Sequence, residues 1–280
     1  MINVIGLGRA GCKIADLFSE YPQYKIHKID TDIKKGEQTF PITKRESPEE
    51  YEEKFPAKIL TSLRKIKGDV LFVVAGGGRI SSSSLRILEA LKKNKIEVLY
   101  IKQDAEDSNP ESRMLDRITF NVFQQYARSG MFSKLYLVSN SHIQSTVGNV
   151  PIGKYHEIIN GTIASAFHMI KVCENTSPTI STLPPPDDLS RICTIGIGEI
   201  EKNADQMFFP LDNVMEKRYY FSINERQIEQ DTSLLPKIKI RTKQKDAEIK
   251  AGYAVYPSEY EKNYIYIVSQ TKILQGEDNA

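Results

Sequence analysis

The sequence predicts an α/β protein: a parallel sheet covered by helices, followed by a smaller α+β unit. Three observations carry this. Apolar runs of strand length alternate with amphipathic helical patterns from residue 2 to about residue 174. Two glycine-rich turns, GLGRAG at 6–11 and GGG at 76–78, each join such a run to a helix. The proline-rich stretch SPTISTLPPPDD then breaks the alternation, and candidate strands dominate the rest of the chain. The expected organisation is a first domain over 1–175, a joint over 176–189 and a second domain over 190–272.

Taken in order, INVIG at 2–6 is a buried strand and 11–20 its helix. KIHKID at 25–30 is the next strand. Residues 33–56 are polar, and Pro41, Pro48 and Pro56 interrupt any long helix there. Ile59, Leu60, Leu63 and Ile66 share one face of a helix over 57–67. Strand 70–75, helix 83–94, strand 97–102, helix 110–129 and strand 134–140 continue the alternation. Ile158, Ile159, Ile163, Phe167 and Ile170 give 153–173 a helical core spacing. In the second part, 191–198, 218–223, 236–242, 251–257 and 263–271 read as strands, several half-exposed, forming a sheet of their own. The tail GEDNA, 276–280, reads as loose.

The 280 residues suit one large domain or two modest ones. A net charge of +2 argues against a nucleic-acid-coating protein. No run approaches the roughly 18 apolar residues of a membrane span, and MINVIGLG has no signal-peptide layout. Cys12, Cys173 and Cys193 are too few and too far apart for a disulfide framework or a zinc cluster. The four histidines show no metal spacing with them, so no metal ligands are assigned. A cytoplasmic, reducing setting is the expectation.

Both glycine turns suit phosphate. Glycine lets a backbone approach an anion closely, and helix N–H groups stabilise its charge. Gly6, Gly8 and Gly11 match G-x-G-x-x-G, and Asp30 follows nineteen residues later at a strand end. That spacing also fits an NAD-binding domain whose acid holds a ribose, so an NAD-dependent oxidoreductase is one reading. A plain strand-end aspartate is the other. Cys12, at the helix start, is open between a thiol of lowered pKa and a buried small residue.

The order of motifs along the chain resembles the tubulin/FtsZ superfamily. GLGRAG is similar to that family's first phosphate turn, and IDTD at 29–32 to its second strand end. DVLFVVAGGGRISSSSLRILEALKKNKIEVLYI follows its strand, G-G-G-T-G-[ST]-G turn, helix and strand. SRML at 112–115, LYLVSN at 135–140, GKYHEIINGTIASAF at 153–167, DLSRICTIGIGEI at 188–200 and AGYAVYPSEYEKNYIYIVSQT at 251–271 match later segments, the last of them a closing hairpin. The resemblance implies a divergent, compact member of the kind carried by phages or plasmids, binding GTP or GDP, with Mg2+ as a companion ion. It implies that Gly6, Gly8 and Gly11 cradle the α- and β-phosphates, and Gly76, Gly77 and Gly78 the β- and γ-phosphates. Asn160 would face the guanine edge, and Arg113 the sugar or base. Head-to-tail self-association into filaments is implied as well, with a DNA-bound or phage adaptor protein as a further partner and no direct contact with nucleic acid or membrane.

The chain departs from the family at two places. Arg79, Ile80, Ser81 and Ser82 stand where Thr-Gly-[ST]-Gly is expected. Ile80 cannot take positive φ cheaply, so the turn must fold differently. Arg79 either meets phosphate or points to solvent. Ser81 either contacts an anion or caps the helix. The hydrolytic N-x-D-x-x-D reads LPPPDD at 183–188, leaving Asp188, with Asp187 as a substitute. A GTPase activity is therefore left open, and weak or lost hydrolysis is the expectation. A nucleotide-free interaction protein on the same scaffold is the remaining alternative.

Overall fold

The computed structural model describes residues 1–104, 108–185, 187–202 and 204–276. The expected loose tail beyond Gly276 and Pro186 of the joint lie outside these residues. In chain order the elements are β1 (Ile2–Leu7), α1 (Gly8–Leu17), β2 (Tyr24–Asp30), β3 (Thr39–Pro41), α2 (Pro48–Glu53), α3 (Ala57–Leu63), β4 (Val70–Ala75), α4 (Ser84–Leu91), β5 (Ile96–Lys102), α5 (Pro110–Ser129), β6 (Lys134–Ser139), α6 (Asn140–Val147) and α7 (Tyr155–Glu174). The second part holds β7 (Ile180–Ser181), β8 (Ile192–Gly198), β9 (Gln206–Met207), β10 (Glu216–Asn224), α8 (Glu225–Gln230), α9 (Leu234–Thr242), β11 (Lys250–Ser258) and β12 (Tyr264–Thr271).

Strands β3-β2-β1-β4-β5-β6-β8 lie in that order, all parallel. Alternate residues of the central strands feed two cores, one on each face. Val4, Leu71 and Val73 pack with Ile14 of α1, with Phe18 just after that helix, and with Ile163 and Phe167 of α7. Ile5, Phe72 and Val74 pack with Leu63 of α3, Ile87 and Leu88 of α4 and Phe120 of α5. Continuous apolar runs such as VLFVVA are what a strand buried on both faces requires.

The second part does not form a sheet of its own. β8 pairs in parallel with β6 through Leu135↔Ile192, Tyr136↔Cys193 and Leu137↔Thr194, and β12, β10, β11 and β7 extend the same sheet. The expected closing hairpin is also absent: β10 lies between β11 and β12, parallel to the first and antiparallel to the second. PKIKIRT, read as a strand, is the body of α9. Its Ile-x-Ile alternation mimics a strand, but the buried positions are Leu234, Ile238, Arg241 and Thr242, a helical spacing, and Ile240 is exposed. Arg241 donates to Asp205 at 2.6 Å, which draws that helix face inward. Among the described residues no helix is long and apolar enough to cross a membrane.

Two glycines set how closely α1 sits on the sheet. A Cβ at Gly6 would lie 2.5 Å from the Gly11 carbonyl oxygen, and one at Gly11 would lie 2.4 Å from the Val73 carbonyl oxygen. Both obstacles are backbone and cannot turn aside. Gly11→Ala is expected to destabilise the protein by about 1–3 kcal/mol in urea unfolding. Gly161→Ala, in α7 with open space around it, is expected to be neutral or to stabilise by up to about 1 kcal/mol.

His27 of β2 faces Asn3 Oδ1 through Nε2 at 3.2 Å, while its buried Nδ1 has no partner. Burial, helped by Lys25, pushes its pKa down to about 4. The unfolded chain takes up this proton near pH 6.5 and the folded one does not. The contribution is therefore complete above about pH 6.5 and is lost as the pH falls toward 4. Unfolding free energy measured between pH 7 and 5 is expected to decline in the native chain, and to decline less in His27→Gln.

Candidate functional site

β1 has β2 on one side and β4 on the other, so the chain reverses its direction of travel across the sheet there. In open α/β sheets this point leaves a crevice outside the carboxyl ends of the strands. Here the crevice has a volume of ≈ 380 Å³, and the ends of β1, β4 and β5 and the starts of α1 and α6 line it.

The first glycine turn supplies the crevice floor. Gly8 has φ +72°, a left-handed conformation open to glycine. It opens α1 three residues earlier than the sequence predicts, so Gly8, Arg9 and Ala10 present the first helical turn to the crevice. No side chain caps this end, and its first turn holds no acidic residue. The turn therefore keeps unsatisfied N–H groups and the positive end of the helix dipole. Gly6 and Gly11 do not line the crevice; they are the packing contacts that seat the turn.

The crevice is electropositive. Arg9, Lys13 and Lys102 line it, and no carboxylate does so among the described residues. Lys102 is already paired with Asp116 Oδ2 at 2.7 Å. Arg9 reaches the exposed Asp32 at 3.6 Å. Lys13 has no ion pair among the described residues. Arg9 and Lys13 stand four apart on α1, a spacing present in GRAGCK that a search for glycine motifs does not pick out.

The second glycine run is shaped by packing. None of Gly76, Gly77 and Gly78 has positive φ. A Cβ at Gly76 would lie 1.7 Å from Tyr100 Oη and 2.2 Å from Asp116 Oδ1. One at Gly77 would lie 2.1 Å from Gln103 Oε1 and 2.5 Å from Ser112 Oγ. The first two glycines thus make room for a buried polar set in which Tyr100 donates to Asp116 at 2.6 Å. Only Gly78 lines the crevice. As expected from Ile80, the next residues avoid positive φ and form a 3-10 turn over Arg79–Ser83. The buried Ser81 donates to the carbonyls of Gly76 and Gly78. Arg79 neither faces the crevice nor stands free: its Nε and Nη2 donate to both carboxylate oxygens of Glu111, at 2.6 and 2.8 Å.

Asn160 lies on the wall formed by α7, with His156 one turn before it. Its side-chain amide has no hydrogen bond within the chain among the described residues. An amide of this kind offers one donor and one acceptor edge to a base.

Other residues singled out from the sequence lie elsewhere. Arg113 is exposed on α5, away from the crevice lining. Asp30 is buried at the end of β2 and accepts from the Thr31 N–H at 2.8 Å; burial raises its pKa. Cys12 donates to the carbonyl of Gly6 at 3.4 Å. Burial first, and then Asp30, push the Cys12 thiol up to about 12, opposite to the shift of a reactive cysteine.

Asp187 and Asp188 are at the other end of the sheet. α7 has 20 residues, about 30 Å of helix, and runs from the crevice to the joint. Asp187 accepts from the Leu189 N–H at 2.9 Å and Ser190 Oγ at 2.8 Å, which hold its pKa down. Asp188 is exposed. A larger hollow of ≈ 680 Å³ adjoins both. Its walls carry charges of both signs, Lys134 paired with Glu174 at 3.2 Å among them, and no helix start opens into it.

No protein-family model matches the sequence, and no curated protein matches it. Solved structures do match the fold. The empty FtsZ dimer of M. jannaschii superposes with a TM-score of 0.69 at 14% identity, over 96% of this chain and 88% of that one. A GTPγS-form protofilament of TubZ from Bacillus thuringiensis serovar israelensis gives 0.73 at 15% identity, over 96% and 86%. GTPγS-bound CetZ2 from Haloferax volcanii, also a protofilament, gives 0.71 at 13% identity, over 96% and 92%. The chain therefore has the tubulin/FtsZ fold.

Proposed function

We propose that the protein binds a guanine nucleotide in the crevice between α1, the second glycine turn and α7, and that it self-associates head to tail. The observation that carries this reading is one cavity lined by an uncapped helix start at Gly8, the free cation of Lys13 and the unengaged amide of Asn160. The first two suit phosphate and the third suits a base edge, and all three line the same space. Magnesium enters as a counterion of the phosphates, for which the crevice offers the amide oxygen of Asn140. The dinucleotide alternative loses its ribose acid, because Asp30 does not line the crevice.

Head-to-tail association is the arrangement that would bring the joint of one copy against the crevice of the next, since Asp188 and Asn160 lie at opposite ends of α7. The TubZ and CetZ2 relatives are protofilaments. Among the described residues of that joint only Asp188 offers a carboxylate without an internal partner, so hydrolysis is weak in this reading.

Calorimetric titration is expected to show guanine nucleotides binding at least about tenfold tighter than adenine nucleotides or NADH. Asn160→Ala should weaken binding by about tenfold or more, the scale of one hydrogen-bonded base edge. Its circular dichroism should not change, because the amide supports no internal contact. No binding of any guanine nucleotide would leave an interaction protein on this scaffold.

Phosphate release from GTP is expected to stay below about 1 s⁻¹, the low end of ordinary turnover, even where nucleotide makes the protein sediment. Fast release abolished by Asp188→Ala would contradict this.

A further inference from the structure

The two glycine turns meet across the crevice, and the group between them is Ile80. Its Cγ2 methyl lies 3.0 Å from where a side chain on Gly8 would begin, and 3.7 Å from the same point on Gly78. Ile80 lines the crevice and packs its remaining surface on the core beneath. An alkyl group thus stands where the two phosphate-facing turns come closest.

The turn that bears Ile80 is held in place by its own hydrogen bonds. Ser81 donates to the carbonyls of Gly76 and Gly78, Ser82 to those of Pro48 and Arg79, and Ser83 to that of Ile80. Ser112 of α5 donates to the Gly77 carbonyl at 2.8 Å. The two-pronged Arg79–Glu111 ion pair ties the turn to the same helix. These hydroxyls, and the Arg79 nitrogens that grip Glu111, are therefore engaged and do not face an incoming phosphate. A charged oxygen pushed against the methyl would lose water there and gain nothing from these side chains.

We infer that Ile80 determines nucleotide specificity: it closes the cradle to a third phosphate, so the crevice takes a guanine nucleoside diphosphate in preference to the triphosphate. This rests on the guanine-nucleotide reading above. In this inference the first turn of α1 and Lys13 serve the diphosphate.

The test is calorimetry with GDP and GTP, both with magnesium, on the native chain, Ile80→Ala and Ile80→Val. Valine keeps the γ-methyl in place and alanine removes it, while circular dichroism checks that each variant is folded. The native chain and Ile80→Val are expected to bind GDP about tenfold or more tighter than GTP, and Ile80→Ala to bring the two within about threefold. GTP binding to the native chain as tightly as GDP overturns the inference and leaves the guanine-nucleotide reading standing. A GDP preference that survives in Ile80→Ala also overturns it, by placing the discrimination elsewhere. Failure of both nucleotides to bind any of the three chains removes the reading and this inference together.

Discussion

The contact on which the rest depends is the backbone approach of α1 to β1 and β4. Gly11 rests against the carbonyl of Val73, and Gly6 against the carbonyl of Gly11, with no room for a single added carbon. This lets α1 lie directly over β1 and β4. The first helical turn then faces the crevice instead of passing over it. An uncapped helix start needs something to satisfy its N–H groups, and here that is solvent or an anion. The electropositive lining comes from the same placement, because Arg9 and Lys13 ride on the turn that the glycines seat.

The second turn shows a different use of glycine. Gly76 and Gly77 yield space to Tyr100, Asp116, Gln103 and Ser112, a polar set beneath the turn. Lys102 and Asp116, both nearly buried, form its ion pair. Removing one member of such a pair leaves a buried charge uncompensated, which typically costs about 3–5 kcal/mol. The turn is thus braced from below by this set and from outside by Arg79 and Glu111. A braced turn presents whatever side chain it carries as a fixed wall, and in this protein that wall is Ile80.

Much of the fold is legible in the residues. The strand at 70–75 stands out because a run buried on both faces has no polar position to disguise it. The helix at 110–129 is bounded by its own chemistry: Asn109 accepts from the Ser112 N–H at 2.8 Å, Pro110 starts the first turn, and Gly130 ends the last with φ 84°. α9 passes for a strand because Ile238 and Ile240 alternate, and the tertiary pull of Asp205 on Arg241 is invisible to a local pattern. The single continuous sheet is hidden because its join, three residue pairs between β6 and β8, has no sequence signature. At the site, spacing is enough to find the glycines and Asn160. The partner of Arg79 lies 32 positions away on another helix, and no spacing rule reaches it. Ile80 draws notice in the sequence for its backbone and not for where its methyl points.

The central claim is that one crevice holds phosphate at the start of α1 and a base at Asn160. Hydrogen–deuterium exchange with and without GDP tests it most directly, because it reads both ends of the ligand at once on the unmodified chain. The account predicts slowed exchange in the amides of Arg9 to Cys12 and in the segment around Asn160, with the joint at Asp187 to Arg191 unchanged at concentrations where the protein is monomeric. Protection confined to the joint and the hollow beside it, or none at the start of α1, would contradict it.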